Sequence, residues 1–335
     1  MADSIAHRPQ MYLGSLRSNG LYNLINEVLS FILFQYYRST PFFTIEYEGN
    51  RSYCISVKDV PFTCEPLNLL FALENSGALY LHILLAMASE ARLSVRDNET
   101  VGELRVGKGE LLSYNKFAAR SETALELQFS FDEAYFKNDI EYYELNKMCV
   151  ELAVLSRSSS FLLKGKTQPL LSQNFLHFPN GLLHRLDRLC NELHQYSSLI
   201  FIDEYFHGNY YQIGLAFQNN TNWDIEKVSY AGYRKTTEGG SLTDGIMAGV
   251  VDIRKNYRRT HVCENDDRNS IRWFKARLVM VAHVLAEDGN YSFCGSTRNK
   301  LDMPQIQRDV RRLVREKLNA VFEDDPELEY TVCNV

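Results

Sequence analysis

Ser229-Tyr-Ala-Gly-Tyr-Arg-Lys-Thr-Thr-Glu-Gly-Gly-Ser-Leu-Thr-Asp-Gly245 is the stretch on which the reading of this chain turns. Its first residues, Ser229–Tyr233, suit a strand. Gly239-Gly240 gives a backbone free to turn tightly and to approach a neighbour closely. Thr243 and Asp244 stand where a helix N-cap is expected, ahead of the apolar run Ile246, Met247, Val250, Val251 and Ile253. The segment therefore reads as strand, glycine loop, helix.

Around this corner the second half of the sequence predicts strands at Leu199–Ile202, Tyr210–Gln218 and Trp273–Ala286. A closing helix is expected from Pro304 to Phe322, with Ile306, Val310, Leu313, Val314, Leu318 and Val321 on one stripe. In the first half, apolar residues at 21, 24, 25, 28, 29 and 32 predict a helix over Leu21–Tyr37. Phe42–Glu48 and Ser52–Lys58 alternate around Glu48-Gly49-Asn50-Arg51 and predict a hairpin. Leu69–Arg92 is helical in composition. Short strands are expected at Arg92–Asp97, Glu103–Val106 and Leu111–Tyr114, and a half-buried one at Thr123–Phe131. Helices are expected at Tyr142–Leu155 and Leu182–Leu193. Helices on a mixed or antiparallel sheet, twice over, give an α+β class with two domains, 1–195 and 196–335.

Composition narrows the function. The chain has 335 residues, 45% hydrophobic and 23% charged, with a formal net charge of −6. That is a globular profile, and not that of a protein coating nucleic acid. The seven cysteines make no C-x-x-C pair, which favours a reducing compartment. The eight histidines show no metal spacing, so no metal site is expected. The N-terminal residues lack the pattern of a signal peptide, and no apolar run reaches membrane-spanning length, so a cytoplasmic location is expected.

Several blocks, in order, resemble one family. Arg8-Pro-Gln-Met-Tyr-Leu-Gly14 is similar to "RPGMYIG", and Gly20 through Val28 to "GLHHLVFEVVDNAIDE". Ile140 through Leu155 is similar to "FDYDTLAKRLRELAFLN", and Phe178-Pro-Asn-Gly181 to "FHYPDGL". Ser229–Gly245 is similar to "SFANNI-x-T-x-EGGTH-x-x-GF", and Phe293–Leu301 to "F-x-x-QTK-x-KL". Together they resemble the DNA gyrase B and topoisomerase IV B family over roughly residues 8–322. The resemblance implies a GHKL-type ATP-binding α/β sandwich, shared with heat-shock chaperones, histidine kinases and MutL, followed by a transducer domain like ribosomal protein S5.

The site residues that the resemblance implies match poorly. Glu27 falls at the position of the glutamate that activates water, but the Mg²⁺-holding asparagine one turn later is Phe31, which offers no oxygen to a hard cation. Glu27 is either a vestigial base or a solvated helix carboxylate. Asp59 stands at the adenine-recognising aspartate, with both following glycines absent; capping a loop is an equally good account of it. The glycine-rich phosphate loop is reduced to Gly77 ahead of bulky residues, and the "GT" before a strand reads Ala124-Leu125. The transducer lysine expected at the γ-phosphate is Arg298.

The resulting expectation is a gyrase-B-like pseudo-ATPase without strand passage, ending before any DNA-cleavage domain and binding a protein partner, such as a topoisomerase subunit. No cofactor is expected, ATP and Mg²⁺ being the implied ones were the site intact. One alternative is a weak ATP-binding or ATPase subunit completed by a partner. Another is DNA binding through Arg308, Arg311, Arg312 and Arg315, set against the dilution of that helix by acids. Any homodimer is expected to be weak or independent of nucleotide, through the apolar face at Leu21–Ile32 and the aromatics Phe34, Tyr36 and Tyr37.

Overall fold

The computed structural model describes residues 8–60, 78–97, 100–118, 124–165, 172–193, 197–218, 227–261, 272, 275–295 and 298–333. The chain divides into two units, Met1–Pro179 and Asn180–Val335.

In the first unit a short helix, α1 (Pro9–Leu13), precedes α2 (Ser18–Gln35). The α2 stripe Leu21, Leu24, Ile25, Val28, Leu29 and Ile32 is at most 5% exposed. Each such side chain contributes roughly 1.5–3 kcal/mol by leaving water. That face is committed to its own unit, which removes it as the expected dimer contact.

The predicted hairpin is β1 (Phe42–Gly49) and β2 (Ser52–Lys58). Gly49, Asn50 and Arg51 all take positive φ at its turn. The helical reading of Leu69–Arg92 is corrected in part. Helix α3 covers Ala78–Met87, and the chain passes directly into β3 (Ala88–Asp97), while 69–77 lie outside the described residues. Ala88 and Ala91 are fully buried, and small apolar residues fit a central strand as well as a helix.

There follow β4 (Thr100–Gly107), β5 (Glu110–Ala118), β6 (Leu125–Phe131), α4 (Tyr142–Leu155), β7 (Ser160–Gly165) and β8 (Ser172–Leu176). The eight strands run in the order β5-β4-β3-β6-β2-β1-β7-β8. The sheet is mixed, since β1 and β7 pair in parallel and the other pairs are antiparallel. Its alternate residues Phe43, Ile45, Ile55, Val57, Leu93, Leu127 and Phe161 are buried on the face that the helices cover.

Asp139 ties this unit together. Its carboxylate accepts hydrogen bonds from the Tyr47 hydroxyl (2.8 Å), the Tyr53 hydroxyl (2.5 Å), and the Arg51 and Ile140 amides (2.7 and 2.9 Å). The hairpin is thereby clasped to the segment leading into α4.

The second unit starts earlier than the expected boundary at 195. Helix α5 (Leu182–Leu193) belongs to it, with Leu182, Leu186 and Cys190 fully buried. The helix lies on β10 (Asn209–Phe217) and β13 (Leu278–Ala286), where a β-carbon on Gly214 would meet Leu186 at 2.9 Å. The apolar face of α5 matches this sheet, a complementarity that linker composition does not reveal.

The remaining elements are β9 (Ile200–Phe206), β11 (Val228–Ala231), β12 (Arg234–Lys235), α6 (Ser241–Thr260), β14 (Phe293–Cys294), β15 (Lys300–Leu301), α7 (Pro304–Asp324) and α8 (Pro326–Cys333). The five-stranded order is β12-β11-β13-β10-β9, with β11 parallel to β13. The strand expected from Trp273 begins only at Leu278, and residues 275–276 are helical. Helices α6, α7 and α8 cover the face opposite α5. Gly245 and Gly249 let α6 and α7 approach, since β-carbons there would lie 2.7 and 2.9 Å from the carbonyls of Gln307 and Arg311. Among the described residues no helix is long and apolar enough to cross a membrane.

Candidate functional site

The positions that the sequence singles out in the first unit lie on α2, α3 and the adjoining ends of β2 and β6. Glu27 is half-buried on α2. One turn on, Phe31 is 6% exposed and belongs to the core. The phenyl ring is thus part of the packing that holds α2. At the position that the resemblance assigns to the Mg²⁺-holding asparagine, the side chain is therefore hydrocarbon and offers no oxygen to a hard cation.

Asp59 follows β2 directly, exposed and with φ of 61°. Such a left-handed position is commonest for glycine, asparagine and aspartate in tight turns. Across the ladder, Val57 opposes Leu125, and the Ala124 amide donates to the Val57 carbonyl at 3.0 Å. The fold therefore brings the Asp59 turn beside Ala124-Leu125, with Leu125 3% exposed where the family motif carries a hydroxyl.

Gly77 lies outside the described residues. The residues after it form α3, in which Leu81, Ile83, Leu84 and Leu85 are at most 5% exposed. Within this apolar helix the His82 Nε2 is buried without a hydrogen-bond partner among the described residues.

In the second unit the glycine loop and the segment holding Arg298 form one structure. Gly240, not Thr243 or Asp244, is the N-cap of α6, and the Thr243 hydroxyl donates back to the Gly240 carbonyl at 3.0 Å. The Leu301 amide donates to the Gly239 carbonyl, and the Glu238 amide to the Asn299 carbonyl, each at 3.0 Å. The Ser241 hydroxyl oxygen accepts from the Met303 amide at 2.8 Å. Arg298, half-buried with φ of 55°, projects from this stitched corner.

The four arginines of the nucleic-acid alternative lie on α7 with partners. Arg311 makes a two-point ion pair with Asp252 of α6 at 2.6 and 3.0 Å, and Arg315 lies 4.0 Å from the same carboxylate. The Arg311 hydrogen bond holds the Asp252 carboxyl below its usual range. Arg312 pairs with Glu316 at 2.7 Å and lies over the Phe206 ring, while Arg308 donates to Gln305 at 2.7 Å.

Sequence reasoning missed two polar clusters, the Asp139 clasp and a second one on α7. There, Asp309 is 3% exposed and accepts from the Tyr211 hydroxyl at 3.2 Å and from Gln305 Nε2 at 2.7 Å. His207 Nδ1 lies 3.0 Å from the same carboxylate. The tyrosine and histidine partners, separated in sequence from their aspartates by about a hundred residues, leave no local signal. The one available clue was an aspartate on the apolar stripe of a helix.

Comparison with known proteins agrees with this architecture. The DNA gyrase B family profile matches residues 181–335. The DNA gyrase B protein of Staphylococcus epidermidis is 21% identical over 97% of the chain and 54% of its own length. The DNA topoisomerase 4 B protein of Streptococcus pneumoniae is 22% identical over the same shares. The chain thus spans about half the length of these curated relatives. The crystal structure of the gyrase B protein from Myxococcus xanthus superposes with a TM-score of 0.83 at 15% identity, over 100% of this chain and 99% of that one. The 43K ATPase domain of Thermus thermophilus gyrase B, in complex with an aminocoumarin, gives 0.77 at 17% identity, over 99% and 92%. The chain accordingly shares the fold of the gyrase B ATPase and transducer domains, a GHKL-type α/β sandwich and an S5-like unit, and residues 181–335 match the DNA gyrase B family.

Proposed function

We propose that the chain is a gyrase-B-like pseudo-ATPase, a cytoplasmic module that keeps the family's frame and acts by binding a protein partner related to type II topoisomerases. The observation that carries this reading is Phe31, 6% exposed in the α2 core one turn after Glu27. Phosphoryl transfer is catalysed mainly by positioning and by neutralising phosphate charge. A chain without the oxygen ligand at this position has lost the principal means of doing so. The packed α3 and the buried Leu125 support the same reading, because the phosphate cradle and the adenine hydroxyl belong to those positions in the family. Asp59, Gly77 and Arg298 are vestiges of nucleotide recognition in this account, and Glu27 of catalysis.

The DNA-binding alternative is less favoured, since the arginines of α7 are engaged with Asp252, Glu316 and Gln305. Calorimetric titration with ATP and Mg²⁺ tests the proposal: no heat of binding is expected up to millimolar nucleotide. Micromolar Mg²⁺-dependent binding would instead support the alternative of a subunit completed by a partner. Titration with purified gyrase or topoisomerase IV subunits tests the partner class.

A further inference from the structure

We propose that β5 is a self-association edge, through which two copies of this chain pair antiparallel and join their eight-stranded sheets. The strand ends the sheet and hydrogen-bonds only to β4 among the described strands. Side chains are exposed on both its faces, Leu111, Leu112 and Phe117 by 61%, 63% and 44%, while Ser113 and Tyr114 are half-buried. A long apolar edge of this kind is a template for another strand. The other described edges serve this purpose less well. β8 has five residues and β12 two, while β9 carries the exposed carboxylates Asp203 and Glu204 side by side. The fullest self-pairing of β9 would set like charges opposite each other.

The occupant follows from the register. Between β4 and β5, Arg105 opposes Ser113 but Val106 opposes Leu111, so Leu112 is an extra residue. This bulge ends the regular edge and leaves Leu112–Ala118 available. A two-fold axis at Asn115 places Leu112 against Ala118 of the second copy, Ser113 against Phe117 and Tyr114 against Lys116. Leu112 then meets Ala118, the small Ser113 leaves room for Phe117, and each Lys116 stands opposite Tyr114. Moving the axis to Lys116 would oppose two lysines, and moving it to Tyr114 would draw the bulge into the ladder. Seven-residue edges bury less than the about 1,200–2,000 Å² of a stable complex. The dimer is therefore weak, concentration-dependent and indifferent to nucleotide.

Sedimentation velocity of the full chain across micromolar to hundred-micromolar concentrations tests this. Ser113→Glu with Phe117→Glu puts carboxylates opposite each other twice and should weaken association more than tenfold, with the melting temperature little changed. Ser113→Lys with Phe117→Glu should restore it. Asn115→Cys should form a covalent dimer on mild oxidation beyond the wild-type background, because directly opposed strand residues lie within disulfide reach. A wild type that stays monomeric throughout overturns the proposal. So does a dimer indifferent to the double glutamate variant, or the absence of both charge-swap rescue and cross-link.

Discussion

A β-carbon on Gly240 would lie 2.1 Å from the carbonyl oxygen of Leu301. The residue also sits at φ 109°, ψ −151°, a backbone region open essentially to glycine alone. The glycine loop and the Arg298 corner are thus held together by the absence of a side chain. Gly240→Ala should destabilise the second unit by roughly 3 kcal/mol or more, the sum of backbone strain and a forced separation. Urea denaturation followed by circular dichroism measures the loss; a change under about 0.5 kcal/mol would mean that the contact does not constrain the loop.

Asp139 should be the most sensitive polar position of the first unit. Replacing it with alanine removes the acceptor for four donors, including the hydroxyl of Tyr53, itself 1% exposed. Leaving buried donors unsatisfied costs about 1–3 kcal/mol each, so a total near 3 kcal/mol is expected, with Asp139→Asn retaining part of it. Equal stability of the wild type and Asp139→Ala in denaturant melts would refute the clasp.

His283, on β13 and 1% exposed, gives the fold an acid sensitivity. Burial pushes its pKa down from 6.5 to about 4. The folded state holds the ring neutral while the unfolded chain protonates it, so the stability linked to this group is full above about pH 6.5 and is lost as pH falls towards 4. The loss is about 3 kcal/mol across that window. His283→Gln should flatten the stability–pH curve there, as measured by urea melts in a pH series. A parallel curve for the variant would show that His283 titrates normally.

Much of this was legible in local patterns. The α2 stripe, the β1–β2 hairpin and α7 declare themselves because one period runs through each segment. Leu69–Arg92 does not, because the switch from helix to strand at Ala88 occurs within uniformly small and apolar residues. The placement of α5 also escaped, since a helix's apolar face does not say which sheet it will cover. For the candidate site, Phe31 was visible as the wrong chemistry at its position. The role of Gly240 as the cap, and the pairing of Arg311 with Asp252, needed the third dimension.

The most direct test of the pseudo-ATPase reading is steady-state ATP hydrolysis by the purified chain with Mg²⁺, run beside Glu27→Ala and Phe31→Asn. Phe31 is core, so the asparagine should cost stability and restore nothing: all three proteins should turn over ATP at the same background rate. Mg²⁺-dependent hydrolysis in the wild type that disappears in Glu27→Ala would contradict the account.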